Sequence, residues 1–182
     1  MALTPSNMPD LGDPAPDFAL PGISGHIVRR DDFADATGLL VVFWCNHCPY
    51  VKHHKPAYAE AVRDWQAKAL AVVAINSNDI ETYPDDDPVR MREDAETFGY
   101  TFDYLFDESQ AVAKAYRAAC TPDFFLYDGD RRLFYRGQFD ESRPGNGLPV
   151  TGVDLDRAVK RVLAGEAAPV EQKPSIGCNI KW

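Results

Sequence analysis

Several features are scarce in this chain, and each scarcity removes a class of function. No stretch approaches the roughly 20 apolar residues of a membrane-spanning helix. The opening MALTPSNMPDLGDPAPDF has neither a basic n-region nor an apolar h-region, so a soluble, cytoplasmic protein without a cleaved signal is expected. Positive charge is outweighed: 19 Lys and Arg against 28 Asp and Glu give a formal net charge of −9. That balance speaks against a nucleic-acid or membrane-surface partner. Cysteine is sparse as well. Four in 182 residues are too few for a disulfide-built scaffold, and in a reducing compartment a close pair points to redox chemistry or metal binding.

What is present suffices for one core. Hydrophobic residues make up 45% of the chain and aromatics 12%, which excludes global disorder at this length. Gly38 to Trp44, GLLVVFW, has the continuous apolar pattern of a strand buried on both faces. From Pro49 to Lys68, the spacing of Val51, Tyr58, Val62 and Trp65 predicts a helix, with a kink at Pro56. Ala69 to Asn76 reads as a second buried strand, parallel to the first through a right-handed crossover.

The acidic loop ETYPDDDP that follows is expected to be a solvated turn, without the ligand spacing of a calcium loop. Asp87 is placed to cap a helix starting at Pro88, with Met91, Ala95 and Phe98 inward, and Ser109 to cap a shorter one carrying Val112, Tyr116 and Ala119. Asp123 to Tyr127 and Arg131 to Phe139 flank a DGD turn and predict a hairpin. A capping box from Thr151 to Asp154 opens the last helix, which ends near Gly165. The expected organisation is α/β, with a domain over residues 1–165, an N-terminal β extension, and a tail over 166–182 docked by Ile176, Ile180 and Trp182.

Chemistry concentrates in FWCNHCPY. Trp44 ends the strand, and Cys45 and Cys48 straddle the strand-to-helix junction, with Cys48 expected in the first helical turn. Residues three apart there meet the Cα separation of a disulfide, about 5.5 Å. Unpaired amides and the helix dipole favour a thiolate, so Cys45 is expected to attack and Cys48 to resolve. His47, as a cation, would stabilise that thiolate further; the alternative is a solvent-facing ring. A zinc ribbon needs a second CxxC or a His pair, whereas Cys120 and Cys178 stand alone. The second feature is Cys120-Thr121-Pro122, whose X-Pro bond before a strand is a candidate cis peptide.

The segments GDPAPDFALP, FWCNHCPYVK, NSNDIETYPDDDP, AACTPDFFLYD, RGQFDESRPGNGLPVTG and KPSIGCNIKW together resemble the redoxin, or AhpC/TSA-like, branch of the thioredoxin superfamily, and within it a group of bacterial peroxiredoxin-like proteins. The resemblance covers nearly the whole chain. It implies a thioredoxin-like three-layer fold with a central mixed sheet, and thiol–disulfide oxidoreductase activity. Cys45 and Cys48 match the redox pair, and Thr121 and Pro122 match the cis-proline loop, whose backbone pairs with the substrate chain in such proteins. Implied partners are a protein or small-molecule disulfide, thiol or peroxide, and a thiol reductant such as thioredoxin or glutathione; no cofactor is implied.

A thiol peroxidase is the alternative, but a peroxidatic site normally reads Pro-x-x-x-Thr/Ser-x-x-Cys. Counting back from Cys48 reaches Cys45 and Val41, and from Cys45 reaches Val42 and Gly38, so neither register fits. Metal binding also competes, because Cys45, His47, Cys48, His53 and His54 crowd ten residues and thiolates suit Cu(I); no metal is assigned. His54 is expected half-buried and His53 exposed. Cys120 reads as a small buried residue or a third thiol, and Cys178 can pair with Cys120 or with an active-site thiol if the tail folds back. Arg136 and Arg143 are expected in surface ion pairs, with a guanidinium near the site as the alternative. Asp140, Arg143 and Asn146 either structure the loop over 137–152 or line the redox groove.

Overall fold

The computed structural model describes residues 3–182. Short strands β1 (Leu3–Pro5), β2 (Ala19–Pro21) and β3 (Ile27–Arg29) precede the apolar run, which forms β4 (Gly38–Phe43). Helix α1 (Pro49–Gln66) and β5 (Leu70–Asn76) follow, then α2 (Pro88–Phe98), β6 (Asp103–Phe106), α3 (Ala111–Ala115) and β7 (Cys120–Thr121). The chain continues through β8 (Asp123–Tyr127), β9 (Leu133–Gly137), α4 (Val153–Leu163) and β10 (Ile176–Asn179).

Among the described residues the main sheet has the order β6-β5-β4-β8-β9. β4 pairs parallel with β5 and antiparallel with β8, which makes the sheet mixed. Each residue of β4 is buried, because both faces of the sheet are covered. Leu40 and Val42 face a cluster built with Val51, Tyr58, Val62 and Trp65 of α1 and Leu155, Val159 and Val162 of α4. Leu39, Val41 and Phe43 face the opposite layer, with Phe18, Val112, Tyr116 and Phe125. A smaller sheet, β1-β10-β7, lies beside it, with β10 antiparallel to both neighbours.

Local chemistry accounts for most boundaries. Asp87 caps α2 by accepting from the Arg90 amide at 2.8 Å, Pro88 is the first helical residue, and Gly99 ends the helix at φ 62°. Helix α1 runs on through Pro56. Two helix starts differ from expectation. Helix α3 begins after Gln110 rather than Ser109, and Ala119 lies beyond its end. The Thr151-to-Asp154 capping box does not form, because the residue before α4 is Gly152 at φ 64°. Asp140 takes over instead, one of its oxygens accepting from the amides of Thr151 and Gly152 at 2.6 Å each. No helix among the described residues is long and apolar enough to cross a membrane.

Candidate active site

The junction between β4 and α1 sets the geometry. Pro49 occupies the first helical position and disfavours the helical conformation in the residue before it. Cys48 is therefore the extended N-cap, at φ −62° and ψ 128°, and not a member of the first turn. The unpaired amides of that turn accordingly address Cys48 rather than Cys45.

Cys45, Cys48 and Cys120 are fully buried, and Cys178 is 4% exposed. The Thr121–Pro122 bond is cis, and Thr121 faces both cysteines of the motif. Its hydroxyl lies 3.2 Å from Cys45 Sγ, and its carbonyl oxygen lies 3.3 Å from Cys48 Sγ. Strand β10 brings Cys178 opposite Thr121, which places Cys178 Sγ 2.7 Å from Cys48 Sγ. The three thiols share charge unequally. Cys48 is held well below the usual thiol range by contacts from Cys178 and Cys45, which outweigh its burial, with help from the amides of Val51 and Cys178. Burial first, then Cys48 and the nearby Asp86 carboxylate, push the Cys45 thiol up; Cys48 first, then burial, do the same to Cys178. The electrostatics thus favour a thiolate at Cys48, whereas the sequence reading expects Cys45 to attack.

The two residues between the cysteines are fixed by a carboxylate that sequence reasoning missed. The acidic loop is not simply solvated: Asp86 is fully buried. Its Oδ1 accepts from the amides of Asn46 at 2.8 Å and His47 at 3.2 Å, and its Oδ2 from Asn78 Nδ2 at 2.7 Å. His47 Nδ1 lies 2.6 Å from the same Oδ2. Burial alone would raise Asp86, but the bonds from His47 and Asn78 outweigh it and hold the carboxyl below its ordinary value. An ionised carboxylate only accepts, so Nδ1 donates to Asp86, and Nε2 is buried without a hydrogen-bond partner. The ring stacks on Tyr83 at a centroid distance of 5.4 Å. His47 is thus anchored rather than solvent-facing.

A second buried group extends this network. Lys55, 2% exposed, donates to the Asn46 carbonyl at 2.9 Å and to Asp94 at 2.6 Å. Tyr104 donates to Asn46 Oδ1 at 2.9 Å, and Trp44 Nε1 donates to Tyr100 at 3.3 Å. Both side-chain and backbone groups of Asn46 are thereby held, which fixes the turn carrying the sulfurs.

The remaining candidates have structural surroundings. His54 is 2% exposed rather than half-buried, with Nε2 3.4 Å from Ser142 Oγ, and His53 is half-buried rather than exposed. Cys120 Sγ lies 3.6 Å from the Pro122 carbonyl, and burial pushes its thiol up. Arg143 is not in a surface ion pair: it donates to the carbonyls of Asp140 and Ser142 and to Gln138 Oε1, at 2.6 to 2.7 Å. Arg136 donates to Gln172 at 2.9 Å. Asp140, Arg143 and Asn146 hold the 137–152 loop together by such bonds. Among the described residues, Cys45, His47 and Asp86 bring possible ligand atoms within 4.8 Å of one another. Each Asp86 oxygen, however, already accepts two hydrogen bonds, which uses its lone pairs.

Comparison with known proteins agrees with this architecture. A hypothetical protein from Sinorhizobium meliloti has a crystal structure 52% identical in sequence, with a TM-score of 0.97 over 98% of each chain. A putative thiol:disulfide interchange protein DsbE from Chlorobium tepidum, 24% identical, superimposes with a TM-score of 0.66 over 85% of this chain and 98% of its own, a likeness of fold. The thiol-disulfide oxidoreductase ResA of Geobacillus kaustophilus is 27% identical over 118 residues, 65% of this chain and 63% of the relative, so the match spans just under two thirds of that protein. The fold is thioredoxin-like, and a model of the AhpC/TSA family matches residues 11–136, which makes this chain a member of that family.

Proposed function

We propose that the protein is a thiol–disulfide oxidoreductase that cycles Cys45 and Cys48 between dithiol and disulfide. The observation that carries this reading is the placing of Cys48 at the N-cap of α1, its sulfur against Cys178 Sγ and the Thr121 carbonyl, in surroundings that hold its thiol below the usual range. Thr121 supports it by contacting both sulfurs with one residue. The name carried by the Geobacillus relative points the same way. The substrate is a protein or small-molecule disulfide, the reductant is a small or protein thiol, and a reducing cytoplasm is the compartment the cycle assumes.

Titration of the purified protein in glutathione redox buffers tests the reading. A two-electron transition, with Cys45 and Cys48 in one disulfide in the Cys178→Ser variant, is expected; no such transition in that variant would reject it. A thiol peroxidase is the second reading, favoured by family membership and by the Thr121 hydroxyl beside Cys45. Stoichiometric peroxide loss in single turnover supports the peroxidase, and its absence leaves the disulfide reaction.

A further inference from the structure

We propose that Cys178 is a third redox thiol, delivered by strand β10, and that the oxidised protein rests with a Cys48–Cys178 disulfide and Cys45 as a free thiol. The proposal deepens the reading above and rests on it. Its first support is position: Cys178 Sγ lies 2.7 Å from Cys48 Sγ, with both side chains in the closed core. Its second is the construction around it. At Gly177 a Cβ would lie 2.6 Å from the carbonyl carbon of Thr121 and closer still to its oxygen, so the residue beside Cys178 has no room for a side chain. Ser175 Oγ donates to the Pro122 carbonyl at 2.6 Å, and the Ile180 amide donates to the Ala119 carbonyl at 3.2 Å. The Lys181 amide donates at 2.8 Å to Asn78, the same side chain that binds Asp86. The tail is pinned on both sides of Cys178 to the loop that faces the motif.

The reaction sequence balances with the reactants already named. A disulfide R–S–S–R′ oxidises Cys45 and Cys48; the two thiols give up two protons and two electrons, and the substrate leaves as RSH and R′SH. The Cys178 sulfur, losing its proton, then attacks Cys48 Sγ. The Cys178–Cys48 bond forms, the Cys45–Cys48 bond breaks, and the released Cys45 sulfur takes up a proton. No electrons enter or leave in this second step. An external thiol then attacks the Cys48–Cys178 bond and resets the three sulfurs.

Disulfide mapping tests this. Wild-type protein is equilibrated in glutathione buffers, acid-quenched, blocked with N-ethylmaleimide and sequenced by tandem mass spectrometry. The expected product links Cys48 to Cys178 and carries the maleimide on Cys45. Cys45→Ser should still form that link, and Cys178→Ser should lose it and move to Cys45–Cys48. Wild type with Cys45–Cys48 as its oxidised form and Cys178 blocked throughout would overturn the proposal while leaving the two-cysteine cycle intact. Absence of any Cys45–Cys48 disulfide in Cys178→Ser would instead overturn the cycle.

Discussion

Replacing Gly177 by Ala perturbs a single contact whose cost follows from the geometry. The added methyl would lie 2.6 Å from the Thr121 carbonyl carbon, against an ordinary contact of 3.4 to 4 Å. Thr121 is held by its own strand pairing and by the Pro122 ring, so β10 must retreat by about 1 Å. Overpacking of this kind costs about 1–3 kcal/mol, and the backbone bonds at Cys178–Thr121 and Asn179–Cys120 contribute about 1 kcal/mol each if they are lost. A loss of roughly 3 kcal/mol is therefore expected, concentrated in opening of the tail. At 1.4 kcal/mol per factor of ten, the open population rises on the order of 100-fold. Native-state alkylation by N-ethylmaleimide, read peptide by peptide, should accelerate by that factor at Cys48 and Cys178. Urea denaturation followed by circular dichroism measures the global loss alongside it. Unchanged labelling rates together with an unchanged urea midpoint would refute the steric argument.

Asp86→Asn puts an amide NH2 where two donors already point, whichever way it is turned, and is expected to cost about 3 kcal/mol in urea denaturation. The same change removes a negative charge that raises the Cys45 thiol, so the pH midpoint of Cys45 alkylation by iodoacetamide should fall. Two buried groups give opposite pH dependences that point variants separate. Burial lowers His54 from 6.5 to about 4, so the unfolded chain binds a proton that the fold refuses, and stability is lost as pH falls from 6.5 to 4; at 1.36 kcal/mol per unit this is about 3 kcal/mol, absent from the profile of His54→Gln. Burial raises Asp123 from 3.8 to about 7, so the fold holds a proton that the unfolded chain releases, and stability is lost as pH rises from 4 to 7 by about 4 kcal/mol, a trend Asp123→Asn should remove.

What the sequence disclosed was the chemistry of near neighbours. The apolar run of β4, the helical spacing in α1 and the Asp87-Pro88 start of α2 depend on residues a few positions apart, where steric and capping rules act directly. The Thr151 box misled because Asp140, eleven positions away, already binds the Thr151 amide. Asp86 was illegible for the same reason on a larger scale. Of three consecutive aspartates, only contact with Asn46 and His47, about 40 positions back, distinguishes the one that is buried. The Pro49 effect on Cys48 was within reach of the sequence, since the residue before a proline avoids the helical region, and it moves the N-cap onto the second cysteine. The approach of Cys178 to Cys48 spans 130 positions and depends on a sheet edge that neither segment encodes alone.

Strand β10 also lies along the Thr121 edge and seals the sulfurs beneath it. All four thiols are buried, so a reagent outside the protein reaches them only through an opening of the fold. Amide hydrogen exchange at Cys178 to Ile180 reads any opening of β10 without a redox reagent.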